Sequence, residues 1–183
     1  MRCRFIKLGG SLLARADLRQ RFRDWLEKQP AADRTIVLVG GGAIVNAVRD
    51  LDSCHQLASN ESHWLAIRAM AVSAELFTLL FPDFEVIHEL PGHDQQGTFV
   101  LDAYDCLHAL PESKRTALPE GWHVTSDSIA GFLSSMMDAD ELVLLKSKHN
   151  SFSSIQLAAD AGFVDSFFPE IAANCRSIRF ATL

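Results

Sequence analysis

Short apolar runs alternate with amphipathic stretches along this chain. Residues 3–8 read as a buried strand, and residues 35–39 as a second, fully apolar one. After the first, Leu12, Leu13, Leu18, Phe22, Trp25 and Leu26 recur at helical spacing, with Ser11 placed to cap the helix. A polar break from Pro30 to Arg34 precedes the second strand. Ile44, Val45, Val48 and Leu51 then fall on one side of another helix. A longer helix is predicted from Asn60-Glu61 to about Phe81, stopped by Pro82. Val86-Ile87 is a short strand and His88 to Gln96 a polar loop. A strand near 99–101 and a helical turn before Pro111 follow, and residues 112–121 read as an exposed loop. Trp122-His123-Val124-Thr125 reads as a short strand, after which Thr125 or Ser126 caps a helix carrying Ile129, Phe132, Leu133, Met136 and Met137. Leu142 to Leu145 form a buried strand, and Ser153 to Gly162 a short helix. Phe163 to Phe168 has no clear period, and a helix and a strand at 177–180 close the pattern. Strand, glycine turn and helix, twice in succession, predict an α/β fold: an open, mainly parallel sheet covered on both faces.

Composition narrows the class of protein. The chain has 183 residues, a net charge of −6 and 48% hydrophobic residues, enough for one domain with a full core. With no basic run, nucleic acid is not an expected partner. Cys3, Cys54, Cys106 and Cys175 are far apart and form no Cys-x-x-Cys pair, so reduced thiols are expected rather than a zinc site or a disulfide framework. No signal segment is recognised, and no apolar run approaches the roughly 20 residues that span a bilayer. A cytoplasmic protein without a membrane partner is the expectation.

The chemistry sits in two glycine-rich turns. Lys7-Leu8-Gly9-Gly10-Ser11 leaves the first strand and Gly40-Gly41-Gly42 the second. Glycine lets backbone amides approach a ligand closely. If each turn opens a helix beside its neighbour, amide donors and positive helix ends converge on one anion, with the Lys7 charge added. Asp127, in the first turn of a later helix, is expected to stay ionised and to orient lysine ammonium groups. Lys146-Ser147-Lys148 leaves another strand end. Each feature alone has a plainer reading, as a tight turn, a helix cap or solvated cations. All four fall where open α/β sheets bind ligands, beyond the carboxyl ends of the strands. Together they point to a phosphoryl group in transit. Neither turn carries the G-x-x-x-x-G-K-[ST] pattern, and the first lacks G-x-G-x-x-G, so a P-loop and a dinucleotide fingerprint are poor fits.

In this order Lys7-Leu8-Gly9-Gly10-Ser11, Gly40-Gly41-Gly42 and Ser126-Asp127-Ser128 resemble the amino acid kinase family, which includes acetylglutamate kinase, aspartokinase and bacterial uridylate kinase. The resemblance runs from residue 5 to about 147. It implies a three-layer α/β/α sandwich with a mainly parallel central sheet, of carbamate kinase type, and ATP with Mg²⁺ as phosphoryl donor. By position, Lys7 would touch the transferring group, with Lys146 as a second charge and Asp127 organising the lysines. Gly9, Gly10, Ser11, Lys146, Ser147 and Lys148 would face the nucleotide, and Gly40, Gly41, Gly42 and Ser126 the acceptor. The stretches Gly40–Met70 and Trp122–Ala130 are similar to a short branch linked to methanofuran and tetrahydromethanopterin one-carbon metabolism. The activity of that branch phosphorylates [5-(aminomethyl)furan-3-yl]methyl phosphate to its diphosphate. That similarity adds Asn46, His63 and Arg68 as candidates for the substrate pocket.

Two positions depart from the family pattern. Lys146-Ser147 stands where many members have Thr-Asp, and the later glycine–lysine segment is missing, so residues 1–183 read as one domain with a truncated C-terminal nucleotide lobe. Either Lys146 or Lys148 replaces the second lysine, or the chain keeps the fold as a non-catalytic ligand-binding or partner subunit; a nucleotide- or molybdate-type storage protein is a weaker option. Asn46 stands where members often have Asp, which removes a partner for an ammonium substrate. A small anionic substrate and a homodimer complete the expectations.

Overall fold

The computed structural model describes all 183 residues. The uninterrupted apolar runs become the middle of its sheet. β1 (Cys3–Leu8) and β2 (Arg34–Val39) are buried at every position, as strands covered on both faces must be. With β3 (Glu85–Ile87), β4 (Gly97–Leu101), β5 (Glu141–Lys146) and β6 (Ile178–Thr182) they form one six-stranded sheet in the order β3-β4-β2-β1-β5-β6. Every pairing is parallel. The order runs outward from β1 through β2 and then returns to β5 on its other side. That reversal opens a crevice at the carboxyl ends of β1, β2 and β5.

Alternate residues of each strand face opposite layers. Phe5, Ile36, Leu38, Leu142 and Leu144 join a core with α3 (Ser59–Leu80), α4 (Ala103–Ala109), α6 (Ser126–Met136) and α8 (Phe168–Ala172). Ile6, Val37, Val39 and Val143 join the other, with Leu18 and Phe22 of α1 (Leu18–Glu27) and Phe77 of α3. Phe22 meets Phe77 and Phe81 edge-on, with ring centroids 5.4 and 5.2 Å apart, a favoured aromatic geometry. α2 (Gly42–His55) buries no residue fully and rests on α3. The remaining helices, α5 (Glu112–Arg115) and α7 (Ile155–Asp160), are short. The result is the α/β/α sandwich with a parallel centre.

Several local expectations are corrected. No α-helix starts at Ser11: residues Gly10–Ala14 form a single 3₁₀ turn, and α1 begins at Leu18. Gly10 is pressed against Gly40 and Gly42, which fixes the chain before a helix can propagate. Trp122–Thr125 is a turn rather than a strand, closed by Val124 N–H donating to the Gly121 carbonyl at 3.1 Å. Residues 112–121, read as loop, include the one-turn α5. By length and composition α3 is apolar enough to cross a bilayer, contrary to the expectation of no such run. Its Ile67, Met70, Ala74 and Phe77 are buried against the sheet, as befits a core helix.

Candidate active site

Two glycine turns meet backbone to backbone at the carboxyl edge of the sheet. A Cβ on Gly10 would lie 2.1 Å from the Gly42 nitrogen and 2.5 Å from the Gly40 oxygen. Gly42 opens α2 with φ +53°, a conformation that favours glycine. Gly9 N–H donates to the Leu145 carbonyl and Gly40 N–H to the Leu8 carbonyl, both at 2.8 Å, which prolongs the ladders. The amides of Gly10, Ser11 and Gly41 have no protein acceptor, and Gly42 stands at the amino end of α2, where N–H groups are unsatisfied by the helix. The turns therefore present free donors beside a positive helix end.

The charges gather behind those donors. Lys7 projects from β1 and is 5% exposed. Its Nζ lies 2.9 Å from Asp127 Oδ1, in the first turn of α6. Lys146, at the end of β5, donates to Asp127 Oδ2 at 2.7 Å and Oδ1 at 2.9 Å, and to the Phe163 carbonyl at 2.8 Å. One buried carboxylate thus holds two ammonium groups. Burial alone would raise the Asp127 pKa, but Lys7 and Lys146 overcome it and hold the carboxyl below its usual range. For Lys146, burial and then the neighbouring Lys7 charge push the ammonium down to about 8, against the pull of Asp127.

A cavity of about 400 Å³ opens in front of this group. Lys7, Gly10, Ser11, Gly41 and Gly42 line one side; Asn46, His63 and Ser126 line it too, with Val45, Ile67, Met70 and Ile129 as apolar wall. His63 is buried, and because a carbonyl only accepts, its Nδ1–H donates to the Gly121 carbonyl at 3.2 Å. Burial lowers its pKa, which favours the neutral ring. Asp127 and Lys146 do not line the cavity themselves; Lys7, which does, reaches Asp127. Ser147 reaches the turn through its hydroxyl, 3.0 Å from Ser11 Oγ. Lys148 is exposed and makes no contact with Asp127; its carbonyl accepts from Thr182 Oγ1 at 3.4 Å. Of the two lysines, Lys146 is the one that meets Asp127. Arg68 lies outside the cavity, with its guanidinium 4.6 Å above the Tyr104 ring and donating to the Tyr104 hydroxyl.

Three residues at or behind the site stood outside the candidate set. Arg49 lines the cavity one helical turn from Asn46 and sits 4.6 Å above the Trp122 ring. Its i, i+3 spacing from Asn46 carried the signal. Trp122 also lines the cavity, with its indole N–H on Asp52 Oδ2 at 2.5 Å. Asp165 accepts from the Thr125 and Ser128 amides, both at 3.0 Å, and no local pattern marked it.

Residues 2–150 match the model of the Amino acid kinase family. The chain belongs to the amino acid kinase family. This family member is 23% identical over 145 residues to [5-(aminomethyl)furan-3-yl]methyl phosphate kinase of Methanocaldococcus jannaschii, covering 76% of this chain and 63% of the relative, less than two thirds of its length. Among solved structures, UMP kinase from Ureaplasma parvum aligns over 100% of this chain and 90% of its own, with TM-score 0.64 and 12% identity. Aspartate kinase from Synechocystis aligns over 98% of this chain and 38% of its own, with TM-score 0.61 and 16% identity. The likeness to these structures is one of fold.

Proposed function

We propose that this amino acid kinase family member moves the γ-phosphoryl group of ATP onto an oxygen of a small anionic acceptor, a phosphate or a carboxylate. One observation carries the reading: Asp127 fixes Lys7 and Lys146 beside two glycine turns whose amides are free. Phosphoryl transfer needs in-line placement and cancelled charge more than covalent chemistry. Lys7 has one carboxylate partner, so its other N–H bonds remain for phosphoryl oxygens. Lys146 spends three donors on Asp127 and Phe163, so its part is to set Asp127 and, through it, Lys7. In this reading the γ-phosphoryl rests near Gly10 and Ser11, and the acceptor enters from the side of Gly41 and Gly42. A phosphate acceptor is already an anion and needs no general base.

The cavity lining carries Lys7 and Arg49 and no Asp or Glu, and both Asp127 oxygens are engaged by lysines. These residues do not fit a metal ion held by the protein; Mg²⁺ would arrive as part of the substrate Mg–ATP. The same charge pattern favours an anionic acceptor and offers no carboxylate to an ammonium. The phosphate named for the relative suits the first requirement, while its aminomethyl group finds no acidic partner. A phosphorylated carbinol is therefore our acceptor class, with that furan phosphate the first compound to try. A homodimer belongs to the same proposal: Leu65, Val72, Leu76 and Leu79 are exposed along one stripe of α3, and a twofold axis at Val72 would close it against a second copy. A sedimentation mass of one chain overturns that part.

The test is ADP release from Mg–ATP with a panel of phosphorylated carbinols. Lys7→Ala should cut turnover by ~10²-fold or more. Because Asp127 would still face Lys146 one to one, the melting temperature should hardly move. Unaltered turnover removes Lys7 from the mechanism. A wild-type protein that neither turns over nor binds Mg–ATP in calorimetry is the non-catalytic subunit instead.

A further inference from the structure

The chain beyond residue 150 lies outside the family match, yet it touches the site at three points. Gly162 lines the cavity. The Phe163 carbonyl takes one Lys146 donor, and the Phe163 ring lies 5.3 Å from Lys146 Nζ. Asp165 faces the amino end of α6. One of its oxygens accepts from Thr125 N–H at 3.0 Å, Thr125 Oγ1 at 2.9 Å and Ser128 N–H at 3.0 Å; the other accepts from the Ser128 hydroxyl.

A helix of this kind ordinarily draws its cap from the residue just before it. α6 does not: Thr125 occupies the cap position without a side-chain cap bond of its own. A carboxylate 37 residues away bonds Ser128 N–H in its place and adds its charge at the positive helix end. Ser126, Asp127 and Ser128 are all buried, so water is poorly placed to substitute. Asp127 is the second residue of that turn. Any tilt of the turn therefore moves its carboxylate relative to both lysines.

We infer that Asp165 is a positioning residue of the phosphoryl-transfer site, holding the first turn of α6 so that Asp127 stands between Lys7 and Lys146. The Phe163 carbonyl holds Lys146 from the other side, so residues 163–165 grip both partners of the central ion pair. The inference rests on the phosphotransferase reading for its consequence in turnover, but the geometry it describes can be tested without turnover.

The experiment compares Asp165→Ala with wild type by two measurements. The first is trace acetylation of Lys146 against pH, followed by mass spectrometry. Losing Asp127 as a close partner should leave Lys146 less readily protonated, so labelling at pH 7 should rise ~3-fold or more. The second is ADP release, where kcat should fall ~10²-fold, as expected for a misplacement near 1 Å, with KM for Mg–ATP changed by less than ~3-fold. Asp165→Asn and Ser128→Ala, which keep part of the network, should give smaller changes in the same direction and serve where the alanine variant fails to fold. If labelling and kcat stay at wild-type values in folded variants while only the melting temperature drops, Asp165 is merely structural and the inference is overturned. If labelling changes but wild-type protein shows no turnover, the positioning role stands and the kinase reading falls.

Discussion

Alanine at Gly10 puts the convergence of the two turns to a direct physical test. The added Cβ would sit 2.1 Å from Gly42 N, 2.5 Å from Gly40 O and 2.6 Å from Gly42 Cα. All three are backbone atoms, so no side chain can swing aside, and the turns must part by roughly 1 Å to restore ordinary contact. Overpacking of this kind costs about 1–3 kcal/mol. For a chain of this length that lowers Tm by ~2–12 °C. The functional loss should be larger, because parting the turns spreads the free amides: ~10²-fold in kcat for ADP release. Gly92→Ala is the control, since its Cβ meets only the Asp94 carboxylate at 2.9 Å in an exposed loop; there Tm and turnover should stay near wild type. A Gly10→Ala protein with wild-type turnover would refute the claim that the two turns form one anion cradle.

Stability should depend on pH through Lys146. Its pKa falls from 10.5 to about 8 on folding, so the unfolded chain holds this proton more tightly between those values and the Lys146 contribution to stability rises with pH across that window, by up to ~3 kcal/mol. Burial raises the Cys106 and Cys175 thiols to about 12 and about 11, which works the other way above about pH 9 in every variant, so the test is a difference. From pH 7 to 10 the urea midpoint of wild type should gain on that of Lys146→Met, and parallel profiles would exclude Lys146. Asp127 works in the opposite range, its lowered pKa giving stability that is present at neutral pH and lost in acid below about pH 4. Asp127→Asn should cost ~3–5 kcal/mol at pH 7, since two buried ammonium groups lose their partner, and less at pH 9, where Lys146 sheds its proton. Arg49→Ala should raise the acceptor KM ~10-fold or more while leaving that for Mg–ATP in place; an unchanged acceptor KM would remove Arg49 from acceptor binding.

The open parallel sheet, and the meeting of Lys7, both glycine turns and Asp127, were legible because each depends on local pattern, whereas the order of strands in the sheet comes from the structure. Apolar runs ending in glycine specify a strand and its exit, and a parallel sheet with helical crossovers brings such exits to one edge. Trp122–Thr125 misled because three β-forming residues in four, Trp122, Val124 and Thr125, lack the context that decides between strand and turn. With Asp165 engaging Thr125 and the Gly121 carbonyl closing on Val124, the segment has no strand to pair with. Arg68 misled in another way: helical spacing places it on α3, but only tertiary packing shows that it turns to Tyr104. Asp165 was invisible because its partners lie 37 and 40 residues away, and no periodicity encodes a contact made across a fold.

Two ammonium groups share a single carboxylate at the heart of this molecule, so one positive charge is left over in a dehydrated place. Folding must carry that imbalance whenever the crevice is empty, and an incoming polyanion offsets it. Occupancy and conformational stability are therefore thermodynamically joined: a few millimolar sulfate or inorganic phosphate, too dilute for the general stabilisation these salts give by exclusion, should raise the melting temperature of wild type and not of Lys7→Ala, giving a handle on the crevice even before its natural guest is known.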